Sequence, residues 1–190
     1  MPVMKQNQPC HQLRIIAGRW RGRKLSFAPV PGLRPTPDRV RETLFNWLSR
    51  DIRDARCLDL YAGSGALGIE AASRGAVEVV LVDNDPAVVQ TLREQLQLLE
   101  ASQLRVVQAD VSNWLTVNPE PFDIVFLDPP FRENLLAGSI RQLEDGGWLS
   151  TDALVYIEAE KGLAPELPAG WEIYRSKSAG QVGYHLARRP

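Results

Sequence analysis

The stretch LDLYAGSGALGIEAASRGA, residues 58–76, decides how the rest of the chain is read. An apolar run, a loop bearing Gly63 and Gly65, and an alanine-rich segment with Gly68 that closes near Gly75 together predict strand, loop and helix. Glycine lets backbone approach a ligand where a side chain would collide. The spacing G-x-G-x-x-G is weak alone, since a tight strand-to-helix turn without a ligand has the same pattern. Its neighbours sharpen it. Asp83 ends the next apolar run about 20 residues later, where an acid can accept hydrogen bonds from both hydroxyls of a ribose. Asp110 ends the run after that and is a candidate for an adenine edge.

Outward from this unit, short apolar runs alternate with helical segments: RCLDLY, VEVVLVD, LRVVQAD, FDIVFLD, ALVYIEAE, WEIYRS and VGYHLA. That alternation predicts an α/β fold, a Rossmann-like, mostly parallel sheet of seven strands. Two final runs with no long helix between them predict a hairpin whose last strand is antiparallel. Between VEVVLVD and LRVVQAD, Asp85 is placed to cap a helix with Pro86 first and Val89, Leu92, Leu96 and Leu99 on one face. Upstream, LRIIAGRWRGRKLSF (13–27) predicts a small β-hairpin, and LRPTPDRVRETLFNWL (33–48) a helix with Thr36 as N-cap and Pro37 as first residue.

The chain has 190 residues and is 44% hydrophobic, enough for one substantial core. The net charge of −1 hides an asymmetry. Residues 1–53 carry 11 Lys and Arg against 3 Asp and Glu, a net of +8; residues 54–190 carry 11 against 20, a net of −9. We therefore divide the chain into a basic N-terminal extension, 1–53, expected to face a polyanion, and a body, 54–190, with a different task; on charge alone, a solvated charged surface is the alternative. Candidate phosphate-contacting residues are Arg14, Arg19, Arg21, Arg23, Lys24, Arg34, Arg39 and Arg41, with bracing of the crevice as the alternative for Arg34. Trp20 is given no role, because pinning the hairpin to the core explains it as well as stacking on a base. No stretch has the length of a membrane span, and the polar start lacks the apolar core of a secretion signal, so a cytoplasmic protein is expected. Cys10, Cys57, His11 and His185 are isolated from one another, which predicts free thiols and no metal. No surplus apolar stripe asks for a partner, and a monomer is expected.

Three ligands suit the glycine loop: a nicotinamide dinucleotide, a flavin dinucleotide, or S-adenosylmethionine. A dinucleotide needs its pyrophosphate at the helix N-terminus. Asp59, just before the loop, suits a cationic sulfonium and an amino group better, so S-adenosylmethionine is modestly favoured, although early acids also occur in dinucleotide sites. The candidate cofactor residues are Asp59, Tyr61, Gly63, Ser64, Gly65, Asp83, Asn84, Asp85, Asp110 and Val111.

The run FDIVFLDPPF (122–131) stops abruptly in an acid, two prolines and a ring. In an open parallel sheet, ligands bind at the carboxyl ends of the strands, so Asp128 should emerge beside whatever the loop holds. Pro129 and Pro130 cannot continue a ladder and hold the backbone extended, which projects carbonyls into the site. Phe131 offers a face on which a nucleobase can stack while its exocyclic amine donates to Asp128 and to the Pro129 carbonyl. Such an amine is a poor nucleophile, and two acceptors would aim its lone pair and take its proton. Asp128, Pro129, Pro130 and Phe131 are the candidate catalytic residues. A strand terminator with a buried ring is the bland alternative.

With these residues in place, the chain resembles the bacterial small-subunit ribosomal RNA guanine-N2 methyltransferases, S-adenosylmethionine-dependent class I enzymes. RIIAGRWRGRKL (14–25), LRPTPDRVRETLFNWL, the glycine loop, FLDPPF and GQVGYHL (180–186) carry the resemblance across nearly the whole chain. It implies methylation of one guanine N2 of small-subunit rRNA, on an assembled or partly assembled small subunit. Gly63 and Gly65 would lie against the methionine part, Asp83 on the ribose, Asp110 near the adenine, and Asp128 to Phe131 on the guanine. Tyr61 stands where many class I enzymes have Gly, and Asp83 where many have Glu, with Asp85 as a substitute for the ribose. The rivals are an amine methyltransferase of DNA adenine or protein glutamine, and a non-catalytic RNA-binding assembly factor.

Overall fold

The computed structural model describes residues 11–27, 30, 35–130 and 135–190. Strand β3 (Arg56–Leu60) shows how the sheet is covered. Its residues alternate in direction, Cys57 joining one buried cluster while Leu58 and Leu60 join another. Both faces are apolar, as a parallel strand roofed by helices on each side requires.

All seven expected strands are present: β3, β4 (Glu78–Asp83), β5 (Leu104–Gln108), β6 (Phe122–Leu127), β7 (Leu149–Glu160), β8 (Glu172–Ala179) and β9 (Val182–Arg188). Their order is β5-β4-β3-β6-β7-β9-β8. Pairing is parallel from β5 through β7, and β9 runs antiparallel to both β7 and β8. From β3 the chain builds outward through β4 to β5, then returns to the other side of β3 for β6 and β7. That reversal lies between β3 and β6, where ligand crevices form in such sheets.

One face holds α1 (Asp38–Trp47), α2 (Ala66–Ser73) and α3 (Pro86–Leu99), the other α4 (Val111–Trp114) and α5 (Leu135–Asp145). Helix α3 begins as expected: the Asp85 side chain accepts from Ala87 and Val88 N–H, and Pro86 takes the first helical position. Its stripe of Val89, Leu92, Leu96 and Leu99 is buried, each side chain contributing about 1.5–3 kcal/mol. The start of α1 corrects the sequence reading. The helix begins at Asp38 with Pro37 before it, and no side chain caps it; the Thr36 hydroxyl instead reaches Glu158.

The N-terminal hairpin forms from β1 (His11–Arg14) and β2 (Lys24–Phe27), antiparallel with Leu13 opposite Leu25. Leu13, Ile15, Trp20, Leu25 and Phe27 join the same buried cluster as α1 to α3. Trp20 is thus a core residue. The linking turn is tied to α2: Ile16 and Ala17 N–H donate to the Glu70 carboxylate at 2.8 and 3.0 Å, Arg19 N–H to the Ser73 carbonyl at 2.7 Å, and Trp20 N–H to Ser73 Oγ at 3.1 Å. Gly18 makes this approach possible, since a Cβ there would lie 1.7 Å from the Ser73 carbonyl oxygen.

Candidate active site

Between β3 and α2 the backbone turns through left-handed conformations at Tyr61 (φ 61°), Gly63 (φ 53°) and Gly65 (φ 73°). Glycine takes this region freely, whereas Tyr61 is held there, its hydroxyl 2.9 Å from Ser139 Oγ of α5. Gly68 allows close contact of helix and strand: a Cβ would stand 2.4 Å from Leu81 Cδ2 and 2.9 Å from Asp59 Oδ2. The tight turn falls where the sequence placed the glycine loop.

Asp59 sits at the centre of the switch point. It is buried, and its Oδ2 accepts the Gly68 N–H at 2.8 Å. Burial pushes its pKa up to about 8, the Gly68 hydrogen bond opposes that, and the Asp83 charge adds to it. Among the described residues no cationic side chain pairs with it. A buried acid with no cation beside it among the described residues suits an ammonium or sulfonium better than a pyrophosphate, in line with the ligand the sequence modestly favours.

Asp83, at the end of β4, accepts from Gly63 N–H at 2.8 Å and from Asp85 N–H at 2.9 Å. Asp85 is engaged in capping α3, Asn84 between them is exposed, and Asp83 is the acid turned toward the loop. Asp110 lies just past β5, exposed, with its carboxylate on the Asn113 N–H at the start of α4, while Val111 is buried. Asp59, Tyr61 and Gly63 share a cleft with Pro35, Thr36 and Asp128. Asp128 directly follows β6, with Pro129 buried and Pro130 exposed after it. Burial, then the charges of Glu158 and Asp59, raise its pKa well above the usual carboxylate range.

Sequence reasoning missed a group behind Asp128. Glu158 near the end of β7 is buried, and its Oε1 accepts from the Tyr156 hydroxyl at 2.7 Å and the Thr36 hydroxyl at 3.3 Å. The signal was present: ALVYIEAE ends in acids as VEVVLVD and FDIVFLD do.

The candidate RNA residues divide. Arg14, Arg19, Arg21, Arg23, Lys24 and Arg39 are exposed. Arg41 is fully buried, its guanidinium donating to Asp38 at 2.6 Å, the Arg14 carbonyl at 2.8 Å and Glu70 at 3.4 Å. It is a brace for the hairpin, and its assignment to phosphates is withdrawn. Arg34, Phe131 and Cys10 lie outside the described residues. Cys57 is a free, buried thiol in β3. Among the described residues no cluster of three or more His, Cys, Asp or Glu could hold a metal, and no helix is long and apolar enough to cross a membrane.

A doubly wound sheet with a glycine turn, acids at successive strand ends and an antiparallel final strand defines a class I methyltransferase fold. The family model described as "Conserved hypothetical protein 95" matches residues 13–188, and the chain belongs to that family. It is 54% identical over 180 residues to "Ribosomal RNA small subunit methyltransferase D" of Escherichia coli (strain K12), covering 94% of this chain and 90% of the relative. The protein of the same name from Haemophilus influenzae is 45% identical over 179 residues, covering 92% and 93%. A solved structure, "Putative methyltransferase yhhF from Escherichia coli", superposes with a TM-score of 0.88 at 51% identity, covering 94% of this chain and 98% of that one.

Proposed function

We propose that this enzyme, an S-adenosylmethionine-dependent methyltransferase of small-subunit ribosomal RNA, places its methyl group on the exocyclic N2 amine of one guanine. The observation that carries the reading is Asp128, released from β6 into the cleft that Asp59 and the glycine loop share. The names of the curated relatives support the RNA substrate. When bound, S-adenosylmethionine supplies the methyl as an electrophile whose C–S bonding pair departs with sulfur. Asp59 faces the ligand's cationic end, Gly63, Ser64 and Gly65 bring backbone against its methionine part, and Tyr61 bounds that end. Asp83, with Asn84 and Asp85 beside it, serves the ribose; Asp110 and Val111 border the adenine.

On the acceptor side, Asp128 and the Pro129 carbonyl accept the two amine hydrogens, turning the nitrogen lone pair toward the methyl group. The amine nitrogen gains the methyl carbon and loses a proton, which passes to Asp128. Pro130 keeps the segment extended, and Phe131 stacks on the base. Arg14, Arg19, Arg21, Arg23, Lys24, Arg34 and Arg39 contact phosphates, so residues 1–53 hold the RNA while 54–190 transfer the methyl group. Phosphate contacts carry no sequence information, and a folded small subunit, complete or partly assembled, presents the correct guanine. The enzyme works as a cytoplasmic monomer.

The test is transfer from labelled S-adenosylmethionine to small ribosomal particles lacking their modifications, to stripped rRNA and to duplex DNA, followed by nucleoside analysis. N2-methylguanosine from RNA, with particles preferred over stripped RNA, is the expected outcome. Label in methyladenine or in protein would replace the reading, and RNA binding without transfer would make the protein an assembly factor.

A further inference from the structure

Strands β6 and β7 are parallel, with Phe126 opposite Tyr156 and Leu127 opposite Ile157. Asp128 and Glu158 are the residues that follow the last of these pairs. Side chains at matched positions of neighbouring parallel strands point to the same face, about 4.8 Å apart. Phe126 and Tyr156 belong to one buried cluster, Asp128 and Glu158 each lie two residues beyond them, and the Glu158 charge bears on Asp128. Two acids therefore follow one register pair on adjacent strands, whereas the reading above uses one.

Glu158 is also held. Tyr156, two residues earlier on the same strand, and Thr36, from the segment entering α1, both donate to its Oε1. These hydroxyls favour its charged form against the cost of burial. Thr36 lines the cleft together with Asp128, so the tether reaches the wall on which a target base would rest.

A purine's amine edge gives such a pair its use. Guanine presents its N2 amine beside an N1–H, two neighbouring donors; adenine presents its N6 amine beside an N1 lone pair. A second carboxylate next to Asp128 is complementary to the first arrangement and repelled by the second. We propose that Glu158 is a specificity-determining residue of the acceptor site, reading guanine N1–H while Asp128 takes the N2 amine. The inference rests on the guanine-N2 reading and names what enforces it.

The experiment compares particles assembled from unmodified transcripts that carry, at the acceptor position, either guanine or 2-aminopurine, which keeps the amine and lacks N1–H. The native enzyme should methylate guanine faster by about tenfold or more, because a buried acceptor left facing a lone pair is penalised. Glu158→Gln should narrow the ratio to within about threefold while affinity for S-adenosylhomocysteine is unchanged, since only the acceptor-side hydrogen bond is altered. Thr36→Val, which releases the carboxylate without removing it, should narrow the ratio in the same direction and carries the test if Glu158→Gln fails to fold. Equal rates of the native enzyme on both bases, or a full ratio retained in Glu158→Gln, would overturn the assignment while leaving guanine methylation intact. Label in adenine would defeat the guanine-N2 reading itself, and this inference with it.

Discussion

The Asp83 carboxylate accepts the Gly63 N–H at 2.8 Å, so the end of β4 sets the position of the glycine loop. The same carboxylate takes the Asp85 N–H, which fixes its orientation. We predict that Asp83→Ala raises the dissociation constant for S-adenosylhomocysteine about 10- to 100-fold, from the loss of charged hydrogen bonds worth about 1.5–3 kcal/mol. Asp85→Ala, which removes a helix cap, should cost about 1 kcal/mol of stability with a smaller change in affinity. Calorimetric titration of both variants checks this, and an unchanged constant for Asp83→Ala would remove it from the cofactor site.

Asp59 predicts a pH dependence. Its pKa in the folded protein, about 8, exceeds its value in the unfolded chain, so the stability it confers is complete below the unfolded value and is lost as pH rises through about 8. One such group lowers stability by up to about 1.4 kcal/mol per pH unit in that window. Asp59→Asn keeps an acceptor for Gly68 and should flatten the slope between native and variant, measured by denaturant unfolding from pH 5 to 9. The α-ammonium of S-adenosylhomocysteine favours the charged acid, and affinity for this ligand should therefore rise over the same window in the native protein alone.

Asp128→Asn retains one oxygen for the amine and loses the proton acceptor. Methyl transfer should fall by about 10²- to 10⁴-fold in single-turnover assays, with S-adenosylhomocysteine affinity within about threefold of native. A variant that transfers at the native rate would take Asp128 out of the chemistry.

Two arginines on one helix separate structure from recognition. Arg41→Ala removes a fully buried guanidinium and its hydrogen bond to the Arg14 carbonyl, while Arg74 and the Ile16 and Ala17 N–H groups keep Glu70 paired, and it should cost about 1–3 kcal/mol. Arg39 is exposed, and Arg39→Ala should leave stability within about 0.5 kcal/mol while reducing the salt dependence of RNA binding by about one phosphate contact. Thermal melts and filter binding across a salt series read the two effects separately.

Gly18 has φ 81°, and a side chain there meets the Ser73 carbonyl. Gly18→Ala should loosen the hairpin from α2, seen as lost hydrogen-exchange protection at Arg19 and Trp20, whose N–H groups donate to Ser73. RNA affinity should fall while S-adenosylhomocysteine binding persists; native protection in the variant would contradict the docking.

Much of the frame was legible because its signals are local. Apolar runs that alternate with helical stretches gave all seven strands, and Asp85 followed by Pro86 marked the start of α3 because capping depends on adjacent residues. Arg41 was misread for a related reason. Its position off the apolar stripe of α1 suggests solvent, yet the hairpin carbonyl of Arg14 and the acid Glu70, 27 and 29 residues away, enclose it.

By itself the sequence determined the strands, the glycine turn and the acids that close each apolar run, since periodicity, backbone freedom and capping act over a few residues. Tertiary structure alone decided which acids meet. Thr36 and Glu158 are 122 residues apart, and the Glu158 charge reaches Asp128 only because β6 pairs with β7. A slip of one residue would turn one carboxylate to the opposite face of the sheet, and no local pattern encodes that alignment.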